Sequence, residues 1–282
     1  MHRSLLRIAY VPLMLAVGNG IAIAWVARGL PLAGLLPLLL IAILASFGAE
    51  RLAPYDVQDR RAHGDTGRDL LHATVNEALT AFGVMSIPLL SGLSPFHGLW
   101  PAHWPLFGQW LLAVAVADAG LTWVHWASHH NRWLWKFHAV HHSVQRLYGL
   151  NGLMKHPIHQ LVETAVAVAP LLLLGMPQPV GALLGFSVAL QLLLQHANVD
   201  VRLGPLRHVL AVGPVHRHHH QKWAGIGDVN FGLFTTVWDR LLGTLVDDPG
   251  RRFRSTDYGI GTRPDYPKAY GAQLIEPFRR RG

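Results

Sequence analysis

Apolar residues run in long unbroken blocks along this chain, without the period-two alternation of a half-buried strand. Such blocks lie near Ile8–Ala27, Leu30–Gly48, Leu70–Leu90, Leu106–Val124, Ile158–Leu174 and Val180–Gln195, and each is long enough to approach the roughly 20 residues that cross a bilayer as a helix. Backbone groups in lipid have no water to bond, so such segments close their hydrogen bonds internally. The pattern therefore predicts an all-α fold: a polytopic membrane helical bundle of about six apolar spans, some paired as hairpins. Pro12, Pro31, Pro37, Pro88 and Pro170 fall near the expected ends or would kink the spans. Arg3 and Arg7 precede the first block as in a signal peptide. No small-residue cleavage site follows, however, and a second block comes at once, so residues 1–49 read as a retained hairpin.

Composition agrees. Hydrophobic residues make up 51% of the 282 and charged ones only 14%, against about 25% charged in ordinary globular chains. Cysteine is absent, which removes disulfides, iron–sulfur clusters, thiolate-ligated haem and thiol nucleophiles. The net charge of +8 could suggest nucleic acid, but its distribution points elsewhere. With the N-terminus placed in the cytoplasm, Arg28 alone among the 24 Lys and Arg falls on the outer side. That is the positive-inside asymmetry of an inner-membrane protein with both termini cytoplasmic, and it leaves no case for nucleic acid. Residues 247–282 form a polar, basic tail suited to anionic headgroups.

The chemistry sits in three histidine clusters, all on the expected cytoplasmic side: His125 and His129; His138, His141 and His142; and His216, His219 and His220. On a helix, positions i, i+3 and i+4 share one face with Cβ atoms about 5–6 Å apart, so each cluster can aim its imidazoles at one place. His196, at the end of the last span, is the ninth candidate. Nine imidazoles exceed what one tetrahedral zinc can use. Two metals with four or five each fit better, in a cytoplasmic helical cap carrying a histidine-rich di-metal site. Imidazole suits iron, zinc or copper, and redox chemistry would favour iron. Beyond the ligands, Asp118 stands two helical turns before His125, an intramembrane carboxylate that calls for a functional reading. Glu163, Asn198, Asp200, Asp228, Asn230 and Asp239 are further candidates to orient imidazoles through their second nitrogen. His156 is an extra-ligand candidate, whereas His130 and His218 fall on other helical faces.

These residues resemble the fatty acid hydroxylase / sterol desaturase superfamily of integral-membrane di-iron oxygenases. The resemblance rests on His125–His129, His138–His142, His196 with Asn198, and His216–His220, and on Asn230-Phe-Gly followed by Trp238-Asp-Arg-Leu-Leu-Gly-Thr244. It runs from about Glu50 to Thr244, with Glu276-Pro-Phe278 a weaker match, and makes residues 50–246 the catalytic domain. Some relatives have another histidine four residues before His196; here Leu192 stands there, and Asn198, His156 or water could fill the place. The resemblance implies two iron ions, with zinc able to replace them on purification, and O2-dependent hydroxylation or desaturation of a lipid. It also implies an external electron donor, a ferredoxin or b-type cytochrome with its reductase. Asp118, Asn198 and His156 are the non-ligand catalytic candidates. Two rivals remain: a di-haem cytochrome, which wants single histidines midway along spans, and a metal transporter or scaffold, which wants ligands along a transbilayer path.

Overall fold

A computed structural model describes residues 2–96 and 98–279. His97, expected at the outer interface, and Arg280 and Arg281 of the closing basic run lie outside the described residues. The first apolar block is one rod over Arg3–Ala27: α1 (His2–Leu13), a widened π-type turn at Met14–Gly18 just after Pro12, and α2 (Asn19–Ala27). There follow α3 (Leu35–Leu52), α4 (Thr66–Gly92), α5 (Leu106–His130), α6 (Arg132–His142), α7 (Pro157–Leu173) and α8 (Gln178–His196). Short helices α9 (Gly213–His216), α10 (Val237–Leu242) and α11 (Tyr270–Ile275) complete the chain. Among the described residues β-structure is limited to isolated bridges, as the all-α expectation requires.

Among the described residues five helices are long and apolar enough to cross a membrane, which makes this an integral membrane protein. The expected count of about six is refined by α7, which at 17 residues is shorter than the others. The helices also differ in surroundings. In α8, 83% of the apolar window is buried, against 17–28% in the other four. A helix that is apolar all round belongs in the interior, and α8 is the axle against which α2, α3, α4 and α5 pack. The outer helices turn large apolar side chains outward instead, Leu36, Leu40 and Leu44 on α3 and Phe82, Met85 and Leu89 on α4. So much exposed apolar surface is stable only in lipid.

Local chemistry sets the joints near the histidines. Between α5 and α6 the Asn131 side-chain oxygen accepts from the backbone N–H groups of Trp133 and Leu134, an N-cap that lets α6 start at once. At the head of α7, His156 Nδ1 accepts from Ile158 N–H, with Pro157 at the first helical position. The stretch after Asp247 returns over the histidine half. Phe253, Tyr258, Ile260 and Tyr266 pack with Val140, Leu147 and Met154 in a second apolar cluster. In α11, Gln273 Oε1 meets His72 Nε2 at 2.9 Å.

Candidate metal centre

The nine histidines singled out from the sequence converge. Their ligating atoms fall into two groups: His125, His129, His138, His142 and His219, and His141, His196, His216 and His220, with the atoms of each group within 4.8 Å of one another. The first pair lies on the last turns of α5, which continues past the expected span end to His130. The second cluster is the last turn of α6, and His196 ends α8. The third differs from the expected helical face: α9 stops at His216, and the backbone carries on as turns through His220.

The rings point one way. Nε2 of His142 lies 3.0 Å from His138 Nε2, 3.2 Å from His129 Nε2 and 3.0 Å from His219 Nε2. In the other group His196 Nε2 lies 3.3 Å from His141 Nε2 and 3.0 Å from His220 Nε2. The outward nitrogens explain the orientation. Nδ1 donates to the carbonyl of Phe231 from His125, of Met154 from His141, of Leu192 from His196 and of Val229 from His219. His129 Nδ1 meets the Asp228 carboxylate at 2.7 Å.

A neutral imidazole that donates through Nδ1 carries a lone pair on Nε2. Where both rings are so anchored, the protein thus packs lone pairs against one another, His125 on His219 at 2.8 Å and His141 on His196 at 3.3 Å, an arrangement that is repulsive unless a cation sits among them. Protonation does not relieve it. Burial, with the neighbouring rings adding to it, drives His138, His141, His142, His216, His219 and His220 well below the usual histidine range. Neutral imidazoles with a fixed second nitrogen are what a divalent first-row metal binds. The donor set fits two such ions.

Around the rings, most second-tier candidates hold the loop that carries the donors. Asp118 accepts from Phe234 N–H and Thr235 Oγ1, both at 2.7 Å, and so fixes the turn whose Phe231 carbonyl orients His125. Asp239 accepts from Phe231 and Gly232 N–H. Asn230, at a left-handed φ of 54°, bonds Val215 and Val246. A Cβ on Gly232 would come within 2.2 Å of the Thr235 carbonyl, so the Asn-Phe-Gly motif is a backbone requirement. Asp228 is held below the usual carboxylate range, first by its bond from His129.

Other candidates lie elsewhere. Both ends of the Asn198 side chain bond the backbone of Asp56, and both His156 nitrogens are engaged, with Ile158 N–H and the Leu274 carbonyl. Neither occupies the place opened by Leu192. Asp200 pairs with Arg7 and Arg252. His130 is exposed against Trp126 and His218 packs on Phe253, outside both groups.

Several further residues shape the surroundings of the rings, with weak signatures in the sequence or none. Gln195 donates to the carbonyls of Ala211, Gly232 and Leu233, tying α8 to the loop beside the rings. Gly152 sits so close to α8 that a Cβ would fall 2.2 Å from the Leu192 carbonyl and 2.9 Å from His196 Nδ1. Lys155 Nζ pairs with Glu163 at 2.5 Å, and His159 and Glu163 approach His138 in a third, smaller group. A polar residue inside an apolar run was the signal for Gln195 and Glu163; Lys155 and Gly152 offered none.

A space of about 20 Å³ touches His125, His138, His141 and His216. Beside it, between α4, α5, α7 and α8, lies an apolar cavity of about 360 Å³. The two share Leu121, Lys155, Glu163 and Leu192 as walls. A lipid-embedded bundle with two imidazole groups at the head of an apolar cavity defines a class, the histidine-rich membrane metalloproteins. Comparison narrows it: the fatty acid hydroxylase profile matches residues 110–244. An ornithine lipid hydroxylase of Rhizobium tropici is 38% identical over 251 residues, 86% of this chain and 74% of its own length. An alkylglycerol monooxygenase of Xenopus tropicalis is 25% identical over 58% of this chain and 35% of its own. A sphingolipid C4-hydroxylase of Schizosaccharomyces pombe is 28% identical over 59% and 58%. No solved structure matches. The chain belongs to the fatty acid hydroxylase / sterol desaturase superfamily and is an oxidoreductase acting on lipids.

Proposed function

We propose that this protein is a membrane-embedded lipid hydroxylase that holds two iron ions in its two histidine groups. It draws on O2 and on electrons from a ferredoxin or b-type cytochrome with its reductase. The observation that carries the reading is the convergence of nine imidazoles, Nε2 inward, beside the polar end of an apolar cavity. The ornithine lipid hydroxylase relative supports an amino-acid-containing acyl lipid as substrate. The loop charges and the bacterial relative support the inner membrane, with both termini and the site cytoplasmic. On this reading residues 1–49 anchor, 50–246 catalyse, and the tail from 247 covers the site.

Bound iron would supply oxygen activation and cleavage of an unactivated C–H bond. The residues of the chain do the rest. Carbonyls and the Asp228 carboxylate hold the rings in the tautomer that presents Nε2. Burial keeps bulk water from the reacting carbon. Leu121 and Leu192 line the passage from the cavity to the rings, and the Lys155–Glu163 pair closes the wall between the two spaces. Zinc satisfies the same donors and can displace iron during purification.

Comparative lipidomics of cells with and without the gene tests this. The expected result is a lipid gaining one oxygen only when the gene is present. Loss of two hydrogens would make the enzyme a desaturase, and an unchanged lipid profile with a haem Soret band from the purified protein would overturn the reading.

A further inference from the structure

The apolar cavity has a polar end whose hydrogen-bonding balance is one-sided. Asn76, 2% exposed on α4, lines it. Its Nδ2 donates to the carbonyls of Leu153 and Lys155 at 2.9 and 3.0 Å, which fixes the amide orientation. Its Oδ1 is buried with no donor. Glu77, the next residue, also lines the cavity, and among the described residues no hydrogen bond or ion pair reaches its carboxylate. The charged side chains on the cavity wall are Glu77, Lys155 and Glu163. Lys155 pairs with Glu163, so this end presents the Glu77 carboxyl and an orphan amide oxygen, both able to accept. A buried acceptor such as Asn76 Oδ1 is costly without a donor, Glu77 stands half-buried beside it, and a ligand that brings donors removes the cost.

We propose that this end of the cavity binds an acyl lipid bearing a protonated amine, its ammonium on Glu77 and an amide or amine N–H on Asn76 Oδ1, while its chain runs along Ile87, Leu172 and Met176. This rests on the lipid-hydroxylase reading for the identity of the site and adds the residues that recognise the amine-bearing head. A neutral glyceride or a free fatty acid offers Asn76 and Glu77 no ammonium. Leaving one buried acceptor unmet separates ligands by about tenfold or more.

Equilibrium binding to the full-length protein in detergent micelles decides it, with three probes: palmitate, N-palmitoyl ornithine, and N-palmitoyl ornithine with its side-chain amine acetylated. N-palmitoyl ornithine should bind at least tenfold more tightly than its acetylated form. Glu77→Gln should abolish that difference and leave the affinity of the acetylated form unchanged. Equal binding of the two ornithine probes overturns the proposal, as does a difference that survives Glu77→Gln. The comparison in unaltered protein stands even if the variant does not fold. Metal content of the same samples separates the two readings. Two ions per chain without amine preference overturns this inference alone, and amine preference in a chain that never binds metal overturns the oxygenase reading alone.

Discussion

The two histidine groups are interleaved in sequence and share the α6 cluster and the His216–His220 turn, yet they are anchored differently. In the group of five, His125 and His219 rest on carbonyls while His129 rests on the Asp228 carboxylate, which is partly open to the surface. In the group of four every ring is buried. His141 and His196 lean on carbonyls, and His216 Nδ1 and His220 Nδ1 have no partner. A carboxylate behind an imidazole raises its basicity; a carbonyl does so less. One position is thus tuned by a charge near the surface and the other by carbonyls and burial without one. The difference teaches that the two ions need not be equivalent, even though the ligands are all imidazole.

The largest effects should come from the rings themselves, one taken from each group. His219→Ala in the five and His141→Ala in the four should each lower product formation by more than about 100-fold, beyond the 10–100-fold that losing an outer partner costs. Both variants should still insert into the membrane, because neither ring belongs to a span. Product assayed in cells, with protein quantified in the membrane fraction, checks this. Full activity in either variant would remove the two-ion assignment.

Next in size is the carboxylate that sets the groups apart. Asp228→Asn should weaken retention of one ion by about 10–100-fold and leave the other unchanged. A chelator titration followed by metal analysis would read two release steps that move apart. If both ions leave together in the variant, the groups form one cooperative site and the contrast drawn above fails.

How much of this was legible beforehand follows from what each residue answers to. Eight ring positions announce themselves through the i, i+3 and i+4 spacing of ligands on a helix, although His219 and His220 lie on turns past α9, and His196 because a polar ring at a span end needs a partner. The spans are legible to within a few residues because lipid leaves the backbone no alternative to the helix. Asn198 and His156 illustrate the limit. Either has the chemistry to fill the place of an absent histidine, but a side chain's partner is set by the path of the loops. That path gives Asn198 to Asp56 and makes His156 a helix cap. Gly152 is silent for the same reason, since the need for a missing Cβ exists only once α8 lies against it. Lys155 reads as one more loop charge until Glu163 is found beside it.

Acid should affect both groups alike. Three rings of each lie outside the spans, and burial lowers all six, so in the metal-free protein they stay neutral where an unfolded chain takes up protons. A depressed histidine leaves the unfolded state binding more protons below pH 6.5, so stability is lost as pH falls. The loss is about 1.4 kcal/mol per pH unit for each ring that remains neutral. The thermal midpoint of metal-free protein should be flat above about pH 7.5 and fall steeply toward pH 5. A midpoint that holds across that range would mean the rings are solvated.

The smallest effect expected is also the most selective. Asp118 touches no ring; it holds the Phe234 and Thr235 turn, and that turn offers the Phe231 carbonyl to His125 alone. Asp118→Asn keeps one acceptor and turns an N–H₂ toward the other donor. The turn should therefore shift without unfolding, and His125 should lose alignment while the group of four keeps its anchors. Activity should fall only several-fold, of the order of one weakened hydrogen bond to a charged group. Both ions should be retained, with the change confined to the five-histidine position in a metal-edge spectrum. Asp118→Asn and Asp228→Asn act on the same group from opposite sides, through the backbone and through charge. If Asp118→Asn instead disturbed the group of four, the loop would be the common support of both groups, and their different anchoring would matter less than the frame they share.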